Sequence, residues 1–518
     1  MRMKPALFNW GKSFSRKTIL TDITAGISVG IIAIPLSIAL AIASGSTPET
    51  GLWTSALAGL TAAFLSGCPQ QISGPSATLV VISYGTIALY GFGGLLAATF
   101  MAGIFLILFG LLNLGKIIQY MPYPIVVGFT AGVAFVLAVG QLGDFMGLQL
   151  QNPPADVLGR ISAYLQSMHS FNPYSLVIGV LSVVSIVAWN KFVKRIPGYL
   201  IAILFATVLS RLTAWPIETI GSRFGQVSSA LPSIHLPALG LGNLRLLLLP
   251  AFTIAFIVSL ESLLSAVVAD NATGDPQDPN MELIAQGSSN LVSALIGGLP
   301  STGVIARTAA NVKSGAKSPV SGLVHSGIVI LCNLLLMPYL SMVPMAALAG
   351  VLAIVCYNMV EWKGFIRLFK SPRTDILIML ATFCLTVLLD LSTAIISSVL
   401  LASLIFTTRM SRTSRLQTLH GHRHKSNPAL IAYEIEGPLF FGFAHKIKML
   451  EEELAADVQQ VTLDFNKVHL IDATGLNALD RFIQTGQNLS INISFLNVRP
   501  HVRDAMEKAG ILSNICMD

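Results

Sequence analysis

Long apolar segments fill residues 23–408 and leave few folds open to this chain. A helix that crosses a bilayer needs about 20 apolar residues. Seven segments come close to that length, at 23–43, 94–114, 123–143, 174–191, 249–269, 318–341 and 374–391. The chain is 53% hydrophobic and 11% charged, whereas soluble domains carry about 25% charged residues. The sequence therefore predicts an α-helical membrane protein.

Shorter apolar segments raise the number of predicted spans to fourteen. They lie at 51–67, 78–90, 196–212, 281–298, 302–312, 344–358 and 393–408. Segments 78–90 and 302–312 are too short to cross a bilayer alone. We expect residues 23–408 to form one transmembrane domain that follows a short cytoplasmic segment at 1–22.

Basic residues set the expected orientation. They cluster after spans four, six, ten and twelve, at Lys116, Lys191, Lys194, Arg195, Lys313, Lys317, Lys363, Arg367, Lys370 and Arg373. By the positive-inside rule these loops and both termini face the cytoplasm, which requires an even number of spans. The loop at 270–282 is acidic instead, but acidic residues carry little weight in that rule. We therefore expect a plasma (inner) membrane protein whose net charge of +7 reflects these loops and not a nucleic-acid partner.

The chain changes character after Thr408. Residues 409–426 are basic and polar, and they predict a linker that either contacts anionic lipid or simply marks the cytoplasmic side. From 427 to 518, strand-like and helix-like segments alternate, beginning with a strand–turn–strand pattern at 429–442. Such alternation predicts a small cytoplasmic α/β domain.

Two polar, helix-breaking stretches interrupt the apolar pattern at matching places. QISGPSAT (71–78) and GGLPSTGVIART (297–308) each pair Pro with Ser and lead into an unusually short apolar segment. Each belongs to the third segment of a group of seven, in repeats at about 23–212 and 249–408. Paired interruptions of this kind indicate the binding site of a transporter. Because each repeat has an odd number of spans, the two repeats are inverted relative to the membrane.

The breaks have a physical use. Irregular backbone at membrane depth is tolerated where it lines a cavity. A helix that starts after a break has unpaired N–H groups and a partial positive charge at its first turn, so two facing starts would bind an anion. We expect the donors near Ala77–Thr78 and Gly303–Val304. The alternative is that the prolines merely kink two packing helices.

Two charged residues lie deep within predicted spans, away from the span ends. Glu261 is in span eight, and Arg307 lies one turn into the second short helix. Charges inside a membrane are costly and usually functional. We expect Arg307 to tune the field of the anion site and Glu261 to bind a proton or cation; a structural ion pair is the alternative. Asp270 and Glu282, nearer the helix ends, are expected to be solvated, and Pro35 should kink span one at the cavity wall.

Four motifs together resemble the SulP family of anion transporters, the sulfate permeases and bicarbonate transporters related to pendrin and prestin. They are IPLSIALAIASG in span one, SGPSATLVV in span three, PSTGVIARTAANVKSGAKS in span ten and LIDATGLNAL near the C-terminus. They occur in the family's order, a membrane domain and then a STAS domain. The resemblance implies fourteen segments in a seven-plus-seven inverted repeat, divided into core and gate bundles, with elevator-like transport and a homodimer.

The resemblance also assigns a substrate site in the two broken spans. Carried over by motif, the site falls on Gly74, Pro75, Ser76, Ala77 and Thr78, and on Ser301, Thr302, Gly303, Ala306 and Arg307.

The coupling ion depends on span eight. Sodium-coupled members resemble an Asp-Ser-Leu-Leu-Thr version of this span, whereas this chain reads ESLLS from Glu261 to Ser265. Both residues offer hard oxygen ligands that suit sodium, but a buried Glu beside few other acids suits a proton carrier, which we favour. We expect no other metal and no cofactor.

The motif LIDATG matches the STAS loop that opens a helix. Thr474 falls where a phosphorylatable Ser follows the Asp in anti-sigma-factor antagonists. The favoured alternative is that Asp472 or Thr474 simply caps the helix. We expect this domain to regulate or stabilise the transporter and not to form its pathway.

Other functions fit parts of the sequence. A nucleobase:cation symporter shares the fold, but Arg307 and the C-terminal domain disfavour it. A membrane-tethered signalling protein would not need two intact broken helices, and an anion channel would not need Glu261. We expect a transporter and not an enzyme, and the sequence leaves sulfate, bicarbonate and dicarboxylates open as substrates.

Overall fold

The fold is described from a computed structural model of the chain. It describes residues 4–9, 16–118, 122–150, 153–192, 198–225, 230–234, 236–237, 241–389, 391–413, 415–418, 430–440, 446–451, 458–511 and 516–517. The chain divides into two compact units, Met1–Val399 and Leu400–Asp518.

Each of the fourteen predicted spans corresponds to helical structure in these residues. Spans one to seven are Arg16–Ala43, Pro48–Trp53 with Gly59–Leu65, 77–90, 92–111, Tyr123–Met146, Pro173–Phe192 and Gly198–Thr213. Spans eight to fourteen are Leu241–Thr273, Pro279–Leu295, Ile305–Lys313, Val320–Leu340, Met345–Met359, Arg373–Leu388 and Leu391–Thr413.

Helix length separates the spans into two kinds. Within the described residues, six helical stretches are long and apolar enough to cross a membrane: Thr18–Ala43, Tyr123–Met146, Pro173–Phe192, Arg245–Thr273, Val320–Leu340, and Ala77–Leu111, which a break at Gly91 divides into two shorter helices. Met345–Met359 and Trp362–Leu368 make a seventh candidate if this bent pair is one span. Gly198–Thr213 and Arg373–Leu388 are shorter, with 16 residues each, and the second of them lies in the segment expected at 374–391.

Residues 77–111 form two helices because the backbone turns at Gly91. This residue has φ 71° and ψ 176°, a conformation that residues with a side chain rarely adopt. A Cβ atom at Gly91 would meet nothing within 4 Å, so the backbone angle, and not crowding, requires glycine. The turn separates span three from span four, as the sequence pattern predicts.

The two polar breaks form a short antiparallel pair of strands. Strand β1 (Ser73–Gly74) pairs with β2 (Thr302–Gly303), with Ser73 opposite Gly303 and Gly74 opposite Thr302. Span three starts two residues beyond β1, after Ser76, and span ten starts one residue beyond β2, after Val304. We call β1 and β2 the crossover.

The spans form two bundles around this crossover. Span one packs on span eleven, and spans three and four pack on spans eight and nine. We call spans one to four and eight to eleven the core bundle. Span five packs on spans twelve and thirteen, within the gate bundle of spans five to seven and twelve to fourteen. Small residues allow close packing: a Cβ on Gly103 would lie 2.8 Å from the Gly287 carbonyl oxygen.

Several short helices were not expected from the sequence. They are Ala6–Asn9, Gly115–Ile118, Val157–Gln166, the 3₁₀ turn Met168–Ser170, Ile220–Phe224 and Trp362–Leu368. Span two also contains a π-helical turn at Thr54–Ala58. Such wide turns are frequent at functional sites, and this one lies beside the crossover because Ser55 Oγ contacts Arg307.

The second unit is an α/β domain with a five-stranded sheet in the order β3–β4–β5–β6–β7. The strands are Arg415–Thr418, Leu430–Glu436, Gln460–Lys467, Asn492–Leu496 and Cys516–Met517. Strand β3 is antiparallel to β4, and the other neighbours are parallel. Two helices, Ala473–Asn488 and Pro500–Lys508, contribute side chains to a core with Val461, Leu463 and Phe465.

The structure changes two local expectations in this unit. The second strand of the pattern at 429–442 is reduced to a single bridge from Leu439 to Ile471, and residues 441–445 lie outside the described part of the chain. Residues 409–413 of the expected linker continue the last helix, and 415–418 form β3; the rest of 409–426 lies outside the described residues.

Candidate functional site

Backbone hydrogen bonds tie the crossover to both short helices. The Val304 N–H donates to the Ile72 carbonyl oxygen at 2.9 Å. The Ile72 N–H in turn donates to Thr308 Oγ1 at 3.1 Å. The Val304 N–H was expected to face an anion, but this bond already uses it. The donors for an anion must therefore come from the residues that follow.

Neither helix that starts at the crossover is capped by a side chain. Span three begins at Ala77 after Ser76, which has an extended backbone (φ −124°, ψ 151°) and makes no capping bond. Span ten begins at Ile305 after Val304 (φ −94°, ψ 113°), also without a side-chain cap. First-turn N–H groups have no carbonyl partner within their own helix. Both helix starts therefore combine unpaired donors with the positive end of a helix dipole.

Arg307 adds a full positive charge beside these helix starts. Its side chain is 2% exposed. One Nη atom donates to Ser55 Oγ at 3.4 Å, and the other donates to Ser37 Oγ at 3.3 Å and the Pro75 carbonyl oxygen at 3.4 Å. Its Nε atom has no hydrogen-bond partner among the described residues. These three bonds are long, so the buried charge is poorly compensated.

The charge of Arg307 is not neutralised by a direct ion pair. Among the described residues, no carboxylate oxygen lies within 4.0 Å of its nitrogen atoms. Glu261 is near enough to attract it electrostatically, but the two side chains do not touch. A direct Glu261–Arg307 pair, considered as a structural alternative, is therefore absent from this part of the chain.

Glu261 binds the start of span three instead. Its carboxylate accepts hydrogen bonds from Ser76 Oγ at 2.6 Å and from Thr78 Oγ1. The side chain is 8% exposed. The Glu261 carboxylate therefore lies where the uncapped N-terminus of span three favours negative charge.

Ser265 lies one turn beyond Glu261 but is engaged elsewhere. Its hydroxyl donates to Thr308 Oγ1 at 2.9 Å, and the residue is fully buried. The structure therefore places the two expected coupling-ion ligands on one helix, with different hydrogen-bond partners.

The other expected site residues differ in burial and in contacts. A Cβ atom on Gly74 would lie 2.8 Å from an Arg307 Nη atom, so glycine leaves the guanidinium its space. Thr302 Oγ1 donates to the Val258 carbonyl oxygen at 3.3 Å. Ala306 lies on the exposed side of its turn, and Pro35 is buried within span one.

Span nine contains a set of polar residues of which the sequence reasoning singled out only Glu282. Glu282, Gln286, Ser289, Asn290 and Ser293 are all fully buried. Glu282 was expected to be solvated near a helix end, but its carboxylate accepts bonds from Ser66 Oγ, the Gly67 N–H, the Cys68 N–H and Gln286 Nε2. Their helical spacing was a usable signal, because a buried polar stripe in an apolar segment needs internal partners.

In the second unit, Asp472 caps the helix Ala473–Asn488. Its side chain accepts a hydrogen bond from the Gly475 N–H at 2.7 Å, as an N-cap residue does. Thr474 is exposed in the first turn of that helix.

A helical membrane bundle whose two broken spans meet in a charged crossover is characteristic of a membrane transporter. A profile of the sulfate permease family matches residues 19–382, and a STAS domain profile matches residues 423–517. The chain belongs to the sulfate permease family of anion transporters, and it combines a seven-plus-seven inverted repeat with a C-terminal STAS domain.

Individual relatives agree with this family. YvdB of Bacillus subtilis (strain 168), a candidate sulfate transporter, is 38% identical over 97% of this chain and 96% of its own length. The transmembrane domain of the cyanobacterial bicarbonate transporter BicA is 30% identical, with a TM-score of 0.68, over 74% of this chain and 98% of its own. The murine Slc26a9 anion transporter in the inward-facing state shares the fold, with a TM-score of 0.89 at 19% identity over 99% of this chain and 91% of its own.

We expect stability to require glycine at position 303, because the Gln71 side chain occupies the space that a Cβ atom would need. A Cβ atom there would lie 1.6 Å from Gln71 Nε2, and both polar atoms of the buried Gln71 amide lack hydrogen-bond partners in the part of the chain that the structure describes. We expect Gly303→Ala to destabilise the protein by about 1–3 kcal/mol through overpacking. The double variant Gly303→Ala/Gln71→Ala should regain most of this loss. The measurement is thermal unfolding of the purified proteins, and an equal loss in the single and double variants would contradict this packing.

Proposed function

We propose that the protein is a secondary active transporter of a small anion such as sulfate, bicarbonate or a dicarboxylate, coupled to protons and working by an elevator-like movement. One observation carries the proposal: the Arg307 guanidinium is buried beside two uncapped helix starts, and no carboxylate of the described residues contacts it directly. An isolated buried charge is expensive, and an anion at the crossover would compensate it.

The proposed anion site combines three sources of positive potential. Span three contributes the first-turn N–H groups at Ala77 and Thr78, and span ten contributes those at Ile305 and Ala306. Arg307 contributes a full charge with an unpartnered Nε–H. Backbone donors and one guanidinium suit a compact oxyanion, because such groups recognise charge and oxygen atoms and not a particular carbon skeleton.

Glu261 gives the site a mechanism of coupling. Its carboxylate is bonded to Ser76 and Thr78, so it competes with the anion for the positive end of span three. Protonation removes the negative charge of Glu261 and leaves that field to the anion. The anion and the proton therefore favour each other's binding, and the coupling free energy is the same in both directions. Anion affinity should rise as pH falls.

Two observations favour protons over sodium. The hydroxyl of Ser265, the second expected ligand, donates to Thr308 and not toward Glu261. The Glu261 carboxylate also already accepts two hydrogen bonds from hydroxyl groups, which leaves fewer of its lone pairs free to coordinate a metal cation. Sodium coupling at Glu261 and Ser265 would need both side chains to reorient.

The elevator-like movement requires a surface along which core and gate can slide. Phe256 and Leu260 of span eight face Ile125 and Phe129 of span five across a small, mostly apolar crevice. Apolar side chains make no directional bonds, so such a surface tolerates a shift in register.

The remaining organisation is proposed from the positive-inside pattern and the resemblance to the family. We infer that 23–408 is the transporter domain, that both termini and the STAS domain at 427–518 are cytoplasmic, and that the protein works as a homodimer in the plasma (inner) membrane. The STAS domain would be regulatory, because both broken helices lie upstream of it. A phosphorylation site at Thr474 remains part of this proposal, and its exposure makes the hydroxyl accessible.

The direct test is uptake by proteoliposomes that contain the purified protein. Labelled sulfate, bicarbonate and dicarboxylates are offered in turn, with proton and sodium gradients imposed separately. We expect saturable uptake of at least one anion, concentrated by an inward proton gradient. Absence of uptake for the whole panel under both gradients would refute anion transport.

Glu261→Gln should separate binding from coupling. Glutamine resembles a permanently protonated carboxyl, so we expect the variant to bind the anion with little dependence on pH and to lose concentrative uptake. The matched control is Glu282→Gln, which changes another buried glutamate, one bonded to the loop at 66–68. Anion affinity measured from pH 5 to pH 8 should remain pH-dependent in that control. Equal pH dependence of wild type and Glu261→Gln would assign coupling elsewhere.

A contact between core and gate should control the elevator equilibrium. Tyr84 of span three donates its hydroxyl to the Pro153 carbonyl oxygen at 2.6 Å, and the Arg160 guanidinium lies 4.2 Å from the Tyr84 ring centroid. Pro153 and Arg160 belong to the segment between spans five and six. Any movement of core against gate must break these bonds, so they stabilise the conformation seen here.

Tyr84→Phe removes one of those bonds and should shift the equilibrium away from this conformation by about fivefold, equivalent to about 1 kcal/mol. Tyr164→Phe is the control, because the Tyr164 hydroxyl donates to the Val139 carbonyl oxygen within the gate bundle. The measurement is the distribution of distances between one spin label on each bundle. If Tyr84→Phe has the same distance distribution as the wild type and the Tyr164→Phe control, this contact does not bias the movement.

A further inference from the structure

We propose that span nine is a positioning element that holds both halves of the crossover in register for the anion, with Asn290 as its principal residue. This inference rests on the proposed anion site. Its evidence is a polar face on span nine, defined as Glu282, Gln286, Ser289, Asn290 and Ser293, whose side chains bond the crossover and the segments that lead to it.

The spacing of these residues places them on one side of a helix. They fall at intervals of four, three, one and three residues along Pro279–Leu295, which an α-helix brings to one face. All five side chains are fully buried. A polar face costs free energy in a membrane protein unless its groups are bonded, and here the bonds go to specific backbone segments.

Asn290 binds the chain immediately before β2. Its Oδ1 accepts from the Ser301 N–H at 2.9 Å, and its Nδ2 donates to the Ser301 carbonyl oxygen at 2.7 Å. The side-chain amide therefore satisfies both backbone groups of one residue, as a neighbouring strand would. Nδ2 also donates to the Gln286 carbonyl oxygen at 2.8 Å, which fixes the amide against its own helix.

Other residues of the polar face make further hydrogen bonds to the crossover and to the residues before it. Ser293 Oγ donates to the Leu299 carbonyl oxygen at 2.5 Å, two residues before Ser301. Gln286 Nε2 donates to Ser73 Oγ in β1 at 2.7 Å. One rigid helix therefore contacts both strands of the crossover or the residues next to them.

The position of these hydrogen bonds indicates that they support anion affinity as well as the stability of the fold. The segment held by Asn290 leads within four residues to the first turn of span ten, which supplies the proposed N–H donors. Binding groups must be held within about 0.5 Å of their productive geometry by supporting hydrogen bonds. Loss of such a bond should therefore weaken anion binding in molecules that still fold.

The chain offers a matched pair of serine variants for the test. Ser293→Ala removes the bond to Leu299. Ser288→Ala makes the same change on the same helix, but Ser288 Oγ donates only within that helix, to the Ile284 carbonyl oxygen at 2.9 Å. Asn290→Leu is the stronger variant, because leucine has the same branched skeleton as asparagine and no hydrogen-bonding group.

The measurement is sulfate and bicarbonate uptake by proteoliposomes, resolved into half-saturation concentration and maximal rate per folded molecule. We expect the half-saturation concentration to rise about tenfold for Asn290→Leu, which loses three hydrogen bonds, and about threefold for Ser293→Ala, which loses one. Ser288→Ala should match the wild type. Maximal rates per folded molecule should change much less, because the gate is untouched.

A purely structural role would give a different result. Folded yield or unfolding temperature would fall, while the half-saturation concentration stayed at the wild-type value in Ser293→Ala and in folded Asn290→Leu; that outcome overturns the inference. If Asn290→Leu does not fold, the serine pair decides. If the wild type neither transports nor binds sulfate or bicarbonate, the proposed function fails for these two anions, and this inference fails with it.

Discussion

The organisation of this site depends on one buried positive charge, the Arg307 guanidinium, which contacts no carboxylate among the described residues. Arg307 is 2% exposed and makes three hydrogen bonds of 3.3–3.4 Å. In a bilayer, water cannot compensate such a charge, and the two uncapped helix starts beside it add further positive potential. The site therefore has a deficit of negative charge that two groups can meet: the nearby Glu261 carboxylate and a bound anion. Competition between them is a simple physical basis for coupling.

The fold brings the two helix starts together and satisfies the backbone groups around them. Two helix starts can face each other only if the two broken segments enter from opposite sides of the membrane, which an inverted repeat provides. The pairing of β1 with β2 then satisfies part of the exposed backbone, through bonds such as Val304 N–H to Ile72. Span nine satisfies more of it through Asn290 and Gln286. Its close approach to span four depends on Gly103 and Gly287, whose backbones nearly touch.

The sequence allowed prediction of features that have local causes. Apolar length predicted the fourteen segments, and Gly-Pro and Pro-Ser breaks predicted where spans three and ten begin. Charges in apolar surroundings identified Glu261 and Arg307. Features that depend on pairing between distant segments were not predictable in this way. The use of the Val304 N–H by Ile72 and the burial of Glu282 against residues 66–68 both arise from contacts across the two repeats. The polar face of span nine was visible as a pattern, but its partners were not.

The most direct test of competition between Glu261 and the anion is to count the protons taken up when an anion binds. Calorimetric titration of the purified protein in buffers of different ionisation enthalpy gives this number without transport or a membrane gradient. Binding by the wild type should take up a proton, approaching one per anion where Glu261 is ionised beforehand, and binding by Glu261→Gln should take up almost none. Anion binding by the wild type without proton uptake across pH 5 to pH 8, or the same uptake in both proteins, would contradict the proposed coupling.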